Sequence, residues 1–122
     1  MLLTPTHRFI LFTLGFWYKE ANKKLAGKSL QVFISKVLFI DIAKKAGMTE
    51  KQPRALYKNL ETLEKNRLVE YKNKNLALTK KGEKAFMKIK KDMLPYLVVS
   101  RLVTEKDPLS YSRKLQTKFS IQ

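Results

Sequence analysis

The side chains of this sequence that could do chemistry are cations. Arg54 and Lys58 stand one helical turn apart, Lys51 precedes them by three residues, and Tyr57 lies beside them. Lys72 and Lys74 follow, then Lys80, Lys81 and Lys84. Arginine and lysine bring hydrogen-bond donors and no acceptor, so they meet phosphates, carboxylates or the acceptor edges of bases. From Lys51 to Lys91 there are 13 basic and 4 acidic residues, +9 of the chain's formal net charge of +16. A charge of that size speaks about partners, and it favours a polyanion: nucleic acid or an acidic membrane surface.

Other chemistries lack their residues. There is no cysteine, which excludes disulfide scaffolds, zinc fingers, iron–sulfur sites and thiol nucleophiles. The single histidine, His7, reads as a surface residue near a helix start. Glu61, Glu64 and Glu70 sit in basic surroundings, and Glu61 is spaced to pair with Lys65. The four glycines are isolated at positions 15, 27, 47 and 82, so no phosphate-cradling loop exists. The expectation is a protein with no catalytic residue, no metal and no cofactor, and not an enzyme.

These cations must be positioned by a folded frame. Leu, Ile, Val and Phe supply 37 of the 122 residues, enough to build a core in one domain over 1–122. The longest apolar run, Phe9 to Tyr18, has ten residues, where a membrane span needs ~20. No leader pattern follows it. A cytoplasmic protein with no membrane partner is expected.

Pro5 and Thr6 open an N-terminal helix over 5–28. It carries Ile10, Leu14, Trp17, Ala21 and Leu25 on one side and Phe9, Phe12 and Phe16 on another. A short strand is read at Gln31–Ile34. A second helix turns Phe39, Ile42, Ala43 and Ala46 to one face and ends at Gly47. A third starts at Pro53, buries Leu56, Leu60 and Leu63, and runs to Lys65, where Asn66 can take a left-handed closing conformation. Leu68–Lys72 and Leu76–Thr79 read as strands joined by Asn73, Lys74 and Asn75. Thr79 can cap a long helix over 80–106, which Pro95 should kink or restart. Residues 107–122 form a tail.

Phasing separates Lys51, Arg54 and Lys58 from the buried leucines of the third helix. A helix of this size fits the major groove, where Arg or Lys meets guanine and Tyr meets phosphate or a thymine methyl. The stretch DIAKKAGM from Asp41 resembles the first helix and turn of a helix-turn-helix. LYKNLETLEKNRLV from Leu56 looks like a recognition helix entering a wing, and LALTKKGEKA from Leu76 like a wing strand entering the next helix. Together they are similar to winged helix-turn-helix proteins of the MarR/PadR-like transcription regulator type, across roughly Ser35 to Phe86. Arg67 stands where such sequences usually have Gly, the turn before the recognition helix is longer, and the wing is short.

The resemblance implies a mainly α fold with a small β-hairpin wing and long N- and C-terminal helices. Residues 31–79 would hold the helix-turn-helix and wing, and 80–106 a dimerisation helix. It implies double-stranded DNA as partner, contacted by Lys51, Arg54, Tyr57, Lys58, Lys72, Lys74, Lys80 and Lys81. It also implies a homodimer, and the apolar surface selects Phe12, Phe16, Leu97 and Leu102 for its interface. The function expected is a dimeric, sequence-specific transcription regulator that acts by occupying an operator, with no effector identified. The alternative is an architectural DNA-coating protein, or a plasmid or replication DNA-binding protein.

Overall fold

The computed structural model describes residues 1–25, 33–48 and 53–111. The protein is mainly helical with a small antiparallel sheet. In chain order the elements are α1 (Pro5–Lys24), β1 (Ile34–Ser35), α2 (Lys36–Lys45), α3 (Pro53–Lys65), β2 (Val69–Lys72), β3 (Asn75–Leu78) and α4 (Lys80–Glu105), with a 3-10 turn at Pro108–Tyr111. The chain divides into two compact units, residues 1–90 and residues 91–122.

Helix α1 begins with a reciprocal cap. The His7 amide donates to the Thr4 hydroxyl at 3.2 Å, and the Thr4 amide donates to His7 Nδ1 at 3.1 Å. Histidine thus fills the place usually held by Glu or Gln. This corrects the surface reading of His7: the cap folds its ring back over the helix start, and it is buried, 6% exposed. Ile10, Leu11, Leu14 and Gly15 form the buried face of α1. Trp17 and Ala21, expected on that face, are half-buried, and Leu25 is exposed.

The core of the first unit adds Ile34 from β1, Phe39, Ile40 and Ala43 from α2, Leu56, Leu60 and Leu63 from α3, and Leu68, Val69, Leu76, Ala77, Phe86 and Ile89 from the rest. Gly15 allows a close approach: a Cβ there would lie 2.2 Å from the Phe86 ring. On α2 the buried face is one step off the expectation. Ile40 is buried, Ile42 half-buried, and Ala46, which falls at the C-cap, exposed. Ser35 caps it, its hydroxyl accepting from the Leu38 amide at 3.1 Å.

The sheet has the order β1-β3-β2, antiparallel throughout. Strand β1 lies later than expected, at Ile34–Ser35, paired with Leu76 and Asn75; Gln31 lies outside the described residues. The turn between β2 and β3 is two residues, because Asn75 joins the ladder opposite Lys72. Asn73 and Lys74 both have positive φ, 53° and 64°. This is the twist-matched hairpin turn that usually takes Asn-Gly, here with lysine in the glycine place.

Two helices close alike. Gly47 (φ 82°) follows α2, with amide bonds from Gly47 to the Lys44 carbonyl and from Met48 to the Ala43 carbonyl, both 2.9 Å. Arg67 (φ 60°) follows α3, with bonds from Arg67 to Glu64 and from Leu68 to Leu63, both 2.9 Å. Both are Schellman motifs. The left-handed residue after α3 is therefore Arg67, not Asn66. The Asn66 amide still bonds to the Thr62 carbonyl in helical fashion, at 3.1 Å. Helix α4 continues through Pro95, so the chain does not restart the helix there. Proline's fixed φ is already helical, and the carbonyl it leaves unbonded is that of Lys91, an exposed residue.

Candidate nucleic-acid interface

Helix α3 is amphipathic in a simple way. Leu56, Leu60 and Leu63 are buried at spacings of four and three, and Arg54 and Lys58 are exposed on the far side. Burying three leucines fixes the helix's rotation, so the two cations are held outward by the core. Lys51 lies outside the described residues.

Tyr57, three residues after Arg54, does not share the full exposure of the outward cations. It is half-buried on the flank of α3 that meets the sheet, and the Lys36 ammonium sits 4.4 Å from its ring centroid. The same ammonium sits 4.9 Å from the ring of Tyr71 on β2. The two tyrosines, Lys36, Glu61 and Glu64 line a recess of about 160 Å³ between α3 and the sheet. Glu61 does not pair with Lys65. Ion pairs on other helices include Lys23–Glu20 and Lys45–Asp41, both 3.0 Å.

The hairpin presents Lys72 and Lys74 to solvent. Its turn is fastened to the start of α2: the Lys36 amide donates to the Lys74 carbonyl at 2.9 Å. Lys80 and Lys81 open α4, both exposed. The Lys81 ammonium donates to the Asn66 carbonyl at 3.2 Å, so it serves the C-terminal end of α3, where a cation suits the unpaired carbonyls.

Sequence reasoning passed over Lys36 and Tyr71. One signal was available. Tyr71 stands two residues from the buried Val69, hence on the same face of β2. Nothing in the spacing of Lys36 points to a tyrosine 21 residues away.

The residues chosen for a dimer are divided between the units. Phe12 is half-buried and engaged, 5.8 Å from Phe16 and 6.1 Å from Phe86 between ring centroids. Phe16 is 44% exposed, and Leu97 and Leu102, in the second unit, are each 45% exposed. Elsewhere on the first unit, the Lys90 ammonium is held below the usual lysine range. The causes, largest first, are a hydrogen bond with Lys19, partial desolvation, and the charges of Lys19 and Lys23, against a raising effect of Glu20.

Among the described residues no three His, Cys, Asp or Glu side chains gather as a metal-binding group, and no helix is long and apolar enough to cross a membrane. Comparison with known protein families, curated proteins and solved structures gave no match.

Proposed function

We propose that this protein is a winged helix-turn-helix DNA-binding protein: a homodimeric, sequence-specific transcription regulator that acts by occupying an operator. One observation carries the reading. Helix α3 holds Arg54 and Lys58 outward over a buried leucine face, and the hairpin that follows it carries exposed Lys72 and Lys74. The element order, with two short helices before a hairpin and β1 completing its sheet, supports the same reading. Helix α3 enters the major groove, Arg54 meets a base edge, and the hairpin lysines meet phosphates. Two copies place their α3 helices in successive grooves, ~34–36 Å apart. Exposed Phe16, Leu97 and Leu102 support self-association.

A second reading is an architectural protein that coats DNA. Of the 26 basic residues 21 are lysine, a point charge with less base-reading geometry than arginine. Selection of duplexes from a random pool, followed by titration of the selected and a scrambled site, separates the two. A regulator prefers its site by ~10³-fold or more; a coating protein does not. In either case affinity must fall steeply with salt, because phosphate contacts release counterions. A flat plot of log affinity against log salt overturns DNA binding through these cations.

A further inference from the structure

Lys36 stands at a junction of three elements, and each of its two ends does a different job. Its amide is in the first turn of α2, where helix donors have no partner within the helix. That donor bonds to the Lys74 carbonyl at 2.9 Å, in the hairpin turn. The bond extends the β1–β3 ladder, in which Ser35 opposes Asn75. Its ammonium lies 4.4 Å from the Tyr57 centroid on α3 and 4.9 Å from the Tyr71 centroid on β2. Glu61 and Glu64 line the same recess.

In a chain of net charge +16 an additional ammonium would ordinarily turn to solvent. Here two ring faces attract it inward, in a recess that Glu61 and Glu64 also line. An ammonium held over two rings is not presented to a phosphate. We propose that Lys36 is a positioning residue for nucleic-acid binding: it clamps the hairpin to α3 through Tyr57 and Tyr71, setting the distance between the groove-reading helix and the hairpin lysines. The proposal rests on the DNA-binding reading above, and it says which basic residue should not behave as a phosphate contact.

The test uses the full chain and one fixed duplex taken from the selection, titrated at several salt concentrations. Lys36→Met keeps the stem and removes the charge; Lys36→Arg keeps a cation that stacks on aromatic rings. Lys36→Met is expected to bind about tenfold more weakly, the loss of two cation contacts, with an unchanged salt slope. Lys36→Arg is expected to restore binding. Tyr71→Leu should reproduce the loss, and the double variant Lys36→Met/Tyr71→Leu should lose little more than either alone. Lys74→Ala, by contrast, should lower the slope by about one.

A Lys36→Met variant whose slope drops as in Lys74→Ala overturns the proposal, since Lys36 would then be a phosphate contact. So does unchanged affinity, or failure of Lys36→Arg to restore it. Thermal melting by circular dichroism identifies any variant that has merely unfolded. Amide hydrogen exchange of the free protein gives a readout independent of DNA: the position-36 amide should exchange several-fold faster in Lys36→Met than in the parent. If the parent binds no duplex, the DNA-binding reading fails, and equal exchange in parent and variant would overturn the clamp separately.

Discussion

The Thr79 hydroxyl donates a 2.6 Å hydrogen bond to the carbonyl of Arg67, twelve residues earlier. The same oxygen accepts from the Gly82 amide at 3.0 Å, and the Thr79 amide donates to the Leu68 carbonyl at 3.2 Å. One residue thus caps α4 and closes the chain around the hairpin. Gly82 completes the junction, since a Cβ there would stand 2.0 Å from the Leu68 carbonyl oxygen. The hairpin's base is set by this contact as much as by its own ladder.

Thr79→Val should therefore cost about 1–2 kcal/mol, the loss of a cap and of a chain-closing bond. Thr79→Ser keeps the hydroxyl and should recover most of it. Urea unfolding of the three proteins checks this; equal stability of Thr79→Val and the parent would contradict it.

Arg67 and Gly47 occupy equivalent places after α3 and α2, with φ of 60° and 82°. A left-handed residue with a Cβ is strained by about 1 kcal/mol. Arg67→Gly should raise stability by about 0.5–1 kcal/mol, after the larger chain entropy of glycine is subtracted. Gly47→Ala should lower it by about 1 kcal/mol. Opposite shifts in the thermal midpoint are the expected result. A loss in both would mean that the Arg67 side chain contributes more than its backbone strain costs.

Arg54 and Lys74 test how DNA is read. Arg54→Ala should weaken binding to the selected site by about 1–3 kcal/mol and affect a scrambled site much less, as expected for a guanine contact. Lys74→Ala should weaken both alike. Both side chains are exposed, so the fold should survive either change. Equal losses on both duplexes for Arg54→Ala would favour the coating protein over the regulator.

Self-association is checked by light scattering at micromolar concentration, where a homodimer is expected. Phe16→Asp and Leu97→Asp each put a charge on an exposed apolar position. Each should shift the protein towards monomer while leaving its melting in dilute solution little changed. A parent that is already monomeric would remove the dimer from the proposal.

Periodicity in the sequence was sufficient for the large elements. Leu56, Leu60 and Leu63 recur at helical spacing, and their burial alone requires that Arg54 and Lys58 point outward. Pro53 at the start of α3, Gly47 after α2 and the cap that Thr79 gives the Gly82 amide of α4 are local signals, because each acts through backbone groups within four residues. On α2 both Ile40 and Ile42 can share a helical face with Phe39 and Ala43, so periodicity does not choose between them, and packing buries Ile40.

Long-range partners were beyond the sequence. Whether Tyr57 joins Arg54 and Lys58 or turns to the sheet depends on what stands across from it, and Lys36 and Tyr71 arrive there only when β1 and β2 both pair with β3. The Lys81 ammonium looks like a free cation until the end of α3 is brought beside it. Arg67 shows the same division. Its side-chain type argues against a left-handed conformation, yet the buried pair Leu63 and Leu68, on either side of it, requires one. Local backbone chemistry is written in neighbouring residues. The surroundings of a long, flexible side chain are set by whichever elements the core brings against it, and those come from distant parts of the chain.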